Sequence, residues 1–415
     1  MHVDINSCFA TIEQQANPDL RGKPTVVAAY TTGNGCILAA SREAKRIGIK
    51  TGMQVREGWR IYPRLIVLPS DPEKYRVVNR RLKQVLMTYT DALSVESIDE
   101  MVMDLSPSPM LYELTKTHSA LTAMVMIARD IKRRVREDIG EWISVSCGIA
   151  ANRYLAKVAS GLQKPDGLVW ITKENIEGVF GKLALTDLTG IKEGNGTRLR
   201  IAGIRTPREM LAADAEALGR AFHSIVGYYW WQRLHGWEDG SMYKTFDEAE
   251  EEQKTFGQSY ALPRKYTAAD PKLWQIVAQL TLKMGKRLRD AGCTASGFGI
   301  SLLFEGYSHW HLQEKQKAPL FADADFYWGF RRLLARAPSF PVRIVAIYCY
   351  DLTRNIYTQQ SLLVDENKKR DLTQALDRIG DRFGDFVVVP GRMMNMEQRV
   401  LDRISFGGVG RTPAS

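Results

Sequence analysis

Asp99 and Glu100 are neighbours in the run Ser97-Ile98-Asp99-Glu100, and a third carboxylate, Asp4, lies near the start of the sequence. Clustered carboxylates offer the hard oxygen donors that hold Mg²⁺. Both flanks of the pair read as strands: Leu93-Ser94-Val95-Glu96 alternates, and Met101-Val102-Met103-Asp104-Leu105 is mostly apolar. Successive strand residues point to opposite faces, so Asp99 and Glu100 serve one site only from a turn or a bulge. For an isolated Asp-Glu pair the plainer meaning is an exposed acidic turn. Asp4 sits in the strand-like run His2-Val3-Asp4-Ile5-Asn6, which leads into a helix start at Ser7-Cys8-Phe9-Ala10, with Ser7 as its cap.

Around these carboxylates stand elements that carry positive charge. Thr25 to Ala29 and Gly35 to Ala40 read as strands joined by the hairpin signal Gly33-Asn34-Gly35. The third glycine of a dinucleotide fingerprint is missing, and no βαβ unit surrounds the other two. Ser41 to Ile47 reads as a basic helix with Arg42, Lys45 and Arg46, ended by Gly48. Such a helix is either a solvated face or a means of capturing phosphates. Helices follow at 71–90, with Pro72 in the first turn, at 121–139 and at 152–162, with a strand at 143–149. Lys164-Pro165-Asp166-Gly167 is a turn signature. This order predicts an antiparallel sheet backed by helices on one face.

Further along, Leu188-Thr189-Gly190-Ile191, Gly194, Gly196 and Ala202-Gly203-Ile204 suggest two helices around a glycine hairpin. Such a hairpin either packs as any αα-hairpin or lets backbone N–H groups approach a phosphate without reading bases. An acidic linker follows over 241–252. Strands at 255–262, 296–304 and 342–351, with helices at 271–291 and 324–337, then form a separate small α+β domain. Residues 253–351 hold 14 Lys and Arg against 7 Asp and Glu, most of the surplus of the whole chain. Gln359, with Leu362 and Leu363, has the look of a short linear peptide for a partner's groove, and a helix follows at 366–383.

The 415 residues carry 57 Lys and Arg against 47 Asp and Glu, a net charge of +10 that favours a polyanionic partner. Five scattered cysteines without a CxxC pair argue against a zinc site and for a reduced, cytoplasmic setting. No apolar run approaches the ~18–20 residues of a membrane span, and the N-terminus lacks the pattern of a signal peptide.

With these residues laid out, the chain resembles the Y family of translesion DNA polymerases, the group that includes the UmuC and DinB branches. The similarity runs from Val3 to about Gly408. It is carried by Val3-Asp4-Ile5-Asn6-Ser7-Cys8-Phe9, Ser97-Ile98-Asp99-Glu100, Gly148-Ile149-Ala150-Ala151-Asn152 through Leu155-Ala156-Lys157-Val158-Ala159-Ser160, and Lys164-Pro165-Asp166-Gly167. The resemblance implies a multidomain α+β right hand. Its parts are a ferredoxin-like palm (1–7 and 71–171), small fingers (8–70), a helix-hairpin-helix thumb (172–240), the linker (241–252), a little finger (253–353) and a C-terminal tail (354–415).

It also implies roles. Asp4, Asp99 and Glu100 match the catalytic carboxylates that hold two Mg²⁺ ions ~3.5–4 Å apart. Cys8 and Phe9 match the pair under the incoming sugar, with Phe9 as the steric gate. Lys164 and Lys45 match phosphate-contacting positions; Lys45 is a point cation where the family commonly has Arg, and Arg42 departs from the family's tyrosine. Gly190, Gly194 and Gly196 match the DNA-binding hairpin, and Gln359, Leu362 and Leu363 a sliding-clamp peptide. Implied partners are primer-template DNA, a dNTP, the clamp and accessory subunits, with no membrane. The implied activity is low-fidelity, template-directed DNA synthesis past damage. The rival is a clamp-bound relative that keeps the fold as an adaptor but has lost catalysis.

Overall fold

His2–Ile5, all four residues buried, forms strand β1 and becomes the centre of a five-stranded sheet. The computed structural model describes residues 1–238, 253–306, 308–354, 366–384, 386–395 and 400, which fall into two compact units, 1–238 and 253–400. The linker 241–252 and the Gln359–Leu363 peptide lie outside the described residues.

From β1 the first unit runs through α1 (Cys8–Ala16), β2 (Thr25–Ala28), β3 (Ile37–Ala40), α2 (Arg42–Arg46), α3 (Val55–Ile61), β4 (Ile66–Pro69) and α4 (Pro72–Met87). It continues with β5 (Leu93–Val95), β6 (Glu100–Met103), α5 (Pro109–Thr115), α6 (Ala120–Arg134), β7 (Val145–Ile149), α7 (Arg153–Leu162) and β8 (Leu168–Trp170). The main sheet has the order β5-β6-β1-β7-β8. β1 is antiparallel to β6 and β7, but β8 is parallel to β7. The sheet is therefore mixed, because the Lys164–Gly167 turn brings the chain back from α7 in the direction of β7, as a crossover helix requires.

Strand alternation divides β1 between two environments. Val3 and Ile5 join Phe9, Tyr75, Leu82, Ile127 and Ile131, from α1, α4 and α6, in one core. Burying an aliphatic chain of this size stabilises the fold by about 1.5–3 kcal/mol. His2 and Asp4 point the other way, and α7 lies on that face, where the sequence pattern predicts helices on one side only. The close approach depends on Gly148, since a Cβ there would sit 2.0 Å from the Ala156 carbonyl oxygen. Asn152 starts α7 by accepting the Leu155 N–H at 2.8 Å. Residues 25–69 make a second sheet, β3-β2-β4, with a small core of Val26, Ile37, Ala44, Ile49, Val55 and Leu65.

Five short helices complete the first unit: α8 (Ile176–Phe180), α9 (Glu193–Ile201), α10 (Pro207–Ala212), α11 (Ala215–Phe222) and α12 (Val226–Leu234). Gly190 makes the turn before α9 with φ 91°, a conformation that glycine adopts without strain. Gly194 and Gly196 lie inside α9 rather than in the turn, which corrects their expected place in a loop.

The second unit contains β9 (Thr255–Tyr266), α13 (Pro271–Asp290), β10 (Cys293–Phe304), β11 (His309–Leu320), α14 (Asp323–Leu334), β12 (Val342–Arg354) and α15 (Glu366–Phe383). Its antiparallel sheet has the order β11-β10-β12-β9. The sequence pattern misses β11, because His309-Trp310-His311-Leu312-Gln313-Glu314-Lys315 is largely polar. β11 is an edge strand, where charged side chains guard against further pairing. Arg289 of α13 ties down both α14 and α15, bonding Asp323 of α14 at 2.8 Å and Asp377 of α15 at 2.6 Å.

Candidate active site

The register of β1 against β6 sets Asp4 directly opposite Glu100, and side chains of directly paired residues share a face. Asp99 precedes β6, and its carbonyl accepts the Ile5 N–H at 2.9 Å. The stretch 97–99 is a tight bend. The Ser97 hydroxyl donates to Asp99 Oδ1 at 2.6 Å and accepts the N–H groups of Asp99 and Glu100 at 3.3 and 3.0 Å. From α4, Asn79 Nδ2 holds the bend by donating to the Ile98 carbonyl at 2.9 Å. The chain thus departs from strict strand alternation at the position where two neighbouring carboxylates have to serve one site.

The electrostatics shows how close the three carboxylates are. Asp4 is pushed up to about 6 by burial, with Lys164 opposing and the charges of Glu100 and Asp99 adding to the rise. Burial also raises Asp99, against the Ser97 hydrogen bond and with Glu100 adding to the rise. Two lysines meet this negative charge. Lys164 Nζ donates to Asp4 Oδ2 at 2.6 Å, and Lys157 Nζ to Glu100 Oε2 at 2.5 Å. His2 Nε2 lies 3.9 Å from Glu100 Oε2, but burial and Lys157 hold the imidazole neutral, so this contact is not an ion pair. Lys45 of α2 belongs to the same cluster. Burial and the nearby Lys164 and Arg42 lower its pKa, while Asp4 opposes the shift.

Three carboxylates in mutual repulsion are a donor set suited to a hard divalent cation. As the side chains stand, the lysines neutralise two of them, and among the described residues no three His, Cys, Asp or Glu side chains converge tightly enough to hold an ion.

Beside the carboxylates, Ser7 adopts φ 52° and turns the chain sharply from β1 into α1. It makes no capping hydrogen bond, contrary to expectation. Cys8 and Phe9 follow, both buried. Burial, with Asp99 and Asp4 adding to it, raises the Cys8 thiol well above its usual range, so it stays protonated. The Phe9 ring stacks on Tyr75 of α4, centroids 4.5 Å apart and planes at 15°. Tyr75 is itself fixed, its hydroxyl donating to Glu13 Oε1 at 2.9 Å while Lys74 holds Glu13 Oε2 at 2.7 Å.

The fold therefore brings together Asp4, Asp99, Glu100, Cys8, Lys45 and Lys164, while Phe9, next to Cys8 in α1, has its ring in the buried core against Tyr75. Arg42 lies near them, but its guanidinium donates to Ser144. Gly190, Gly194 and Gly196 belong to the helical region after residue 172, away from the carboxylates in sequence.

Sequence reasoning passed over Lys157 and Tyr75. For Lys157 a signal was present. Arg153 and Lys157 are four apart on one helix face, and they meet Glu96 at 3.5 Å and Glu100 at 2.5 Å, acidic residues also four apart. Tyr75 carried no comparable signal, because an aromatic on an amphipathic helix is ordinarily core.

A profile of the impB/mucB/samB family matches residues 3–161. A DNA polymerase IV from Moorella thermoacetica is 31% identical over 392 residues, covering 93% of this chain and 93% of its own length. DNA polymerase IV 1 of Bacillus subtilis is 27% identical, covering 98% of this chain and 95% of its own length. Among solved structures, a Y-family DNA polymerase chimera of Dbh and Dpo4 superimposes with a TM-score of 0.69 at 24% identity, over 85% of this chain and 99% of the chimera.

Proposed function

The chain belongs to the Y family of translesion DNA polymerases, and from that premise we propose how its own residues divide the work. It is a DNA-directed DNA polymerase of a metal-dependent family. Asp4, Asp99 and Glu100 would hold two Mg²⁺ ions, which when bound activate the primer 3′-hydroxyl and neutralise the leaving pyrophosphate.

The remaining roles fall to protein side chains. Lys164 and Lys45 bind the triphosphate of the incoming dNTP. Lys164 exchanges the Asp4 carboxylate for phosphate oxygens, one charge-assisted hydrogen bond for another. Lys157 keeps Glu100 oriented. Phe9 is the steric gate, its ring held on Tyr75 at the start of α1 where a ribonucleotide's 2′-hydroxyl would meet it, and Cys8 packs beside it as a small neutral surface. Gly190 and Gly194, at the turn and in the first turn of α9, belong to the thumb region that follows primer-template phosphates through backbone N–H groups, while Gly196 supports that turn from within α9, its own N–H donated to the Lys192 carbonyl at 2.8 Å. The basic second unit tracks the template backbone by charge. Gln359, Leu362 and Leu363 dock on a sliding clamp.

One observation carries the assignment: Asp4 and Glu100 are register partners on adjacent strands, each met by a lysine, with Asp99 bent onto the same face. The adaptor alternative calls for a dismantled metal site, and all three carboxylates are present. Primer extension with Mg²⁺ on an undamaged template and on one with an abasic site tests the proposal. Nucleotide addition on both, including opposite the abasic position, is expected. DNA binding with no addition on either would favour the adaptor.

A further inference from the structure

Arg42 stands where the family commonly places a phosphate-contacting tyrosine, and it makes a different contact. Its guanidinium donates to the Ser144 hydroxyl, just before β7. Ser144 in turn donates to Asn6 Oδ1 at 3.0 Å. The same oxygen accepts the backbone N–H of Asp166 at 2.6 Å. Asn6 Nδ2 donates to Ser146 Oγ at 2.8 Å, and that oxygen also accepts the Gly167 N–H at 3.2 Å. Asn6, Ser144 and Ser146 are 3%, 5% and 0% exposed. The row leads from α2 to the turn that carries Lys164. On its other side, Lys132 bonds the Asp166 and Gly167 carbonyls and Arg136 pairs with the Asp166 carboxylate.

Such an arrangement answers a physical need. Lys164, Lys45 and Arg42 are like charges gathered in one place, and before a triphosphate arrives they repel one another. A buried, satisfied hydrogen-bond row resists that repulsion, because breaking it leaves polar groups unpaired. Preorganised charge costs nothing to assemble when substrate binds.

We infer that Arg42 is a positioning residue: through Ser144 and Asn6 it braces the 164–167 turn, and so sets where the Lys164 ammonium meets the triphosphate, without touching the nucleotide itself. This rests on the assignment of Lys164 to the triphosphate.

Single-nucleotide incorporation kinetics on an undamaged primer-template tests it in two cycles. Arg42→Met and Ser144→Ala should each raise the KM for dNTP about tenfold, the worth of one charge-assisted hydrogen bond, with primer-template affinity unchanged. The double variant should be no worse than either single, and Ser144→Thr should restore the KM. Arg42→Met placed in a Lys164→Ala background should add nothing, a cycle that leaves the buried row intact should Ser144→Ala fail to fold. Multiplying effects in either cycle would mean that Arg42 acts on the phosphates itself and would overturn the inference. A wild-type KM in Ser144→Ala would do the same. An unchanged KM in Lys164→Ala alone would instead refute the assignment of that lysine, while the first cycle would still report on the brace.

Discussion

Discrimination against ribonucleotides should depend on Tyr75, a residue that does not itself face the sugar. Phe9 is 1% exposed, and its ring rests on Tyr75 in a stack with centroids 4.5 Å apart. A pair of this kind is worth about 0.5–1.5 kcal/mol beyond its buried area. Tyr75→Leu keeps the site apolar but removes the plane that holds the gate, so the preference for dNTP over rNTP should fall roughly 2- to 13-fold. Phe9→Ala, which deletes the gate, should lose considerably more. Tyr75→Phe separates packing from hydrogen bonding. It keeps the stack but leaves Glu13 Oε1 without its donor at 2.9 Å, so stability should drop by about 1–3 kcal/mol with discrimination retained. Burial and the Glu13 carboxylate push the phenol far above its ordinary range, so it stays a donor at any working pH. The assay is the ratio of kcat/KM for matched dNTP and rNTP, with urea unfolding run alongside. Full discrimination in Tyr75→Leu, or equal loss in Tyr75→Phe and Tyr75→Leu, would refute the stacking argument.

Asp4 links stability to pH. Its carboxyl rises from 3.8 to about 6, chiefly through burial. A carboxyl raised in the folded state favours folding below its unfolded value, and that contribution is lost as pH climbs through about 6; a rise of this size is worth about 3 kcal/mol. Urea unfolding of the metal-free protein should therefore show a flatter profile between about pH 4 and 6 in Asp4→Asn, and a loss as steep as in the wild type would exclude Asp4 as the source. Lys157→Ala should lower kcat about tenfold or more by freeing Glu100 from a charge-assisted hydrogen bond, with Lys157→Arg partly restoring it; an unchanged kcat would dissociate Lys157 from the chemistry. Deleting Gln359 to Leu363 should reduce clamp-stimulated synthesis and spare synthesis without the clamp, whereas equal loss of both would assign the peptide to folding.

The bend that carries Asp99 and Glu100 was legible in the sequence because its constraint is local, whereas Asp4 joined them only through the resemblance to the Y family. Two adjacent acids between strand-like runs serve one site only from a bend, and the Ser97–Asp99 bend provides it. Lys45 stood out only as part of a basic helix that could equally be a solvated face, and Lys164 only as part of a turn; their assignment to phosphates came from the resemblance to the Y family. What was not legible depends on partners distant in sequence. The parallel pairing of β8 with β7 follows from where α7 packs, and Gly148 permits that packing through a contact with Ala156 that no local pattern announces. Tyr75 is an ordinary core aromatic until Phe9 is laid on it. Arg42 looks like any basic helix residue until Ser144, more than a hundred positions away, accepts its guanidinium. β11 escaped for a different reason. Apolar alternation marks strands with one buried face, and an edge strand rich in His, Gln, Glu and Lys carries little of it.

The central claim is that Asp4, Asp99 and Glu100 act together as the catalytic centre of a DNA polymerase. Its most direct test is primer extension with Mg²⁺ by the Asp99→Ala, Glu100→Ala double variant, with primer-template affinity and thermal unfolding measured on the same preparation. Loss of the carboxylates removes several kcal/mol of charge stabilisation from the transferring phosphate, so nucleotide addition should fall roughly a thousandfold or more, with DNA affinity and the folded state retained. Extension at the wild-type rate by that variant would contradict the account.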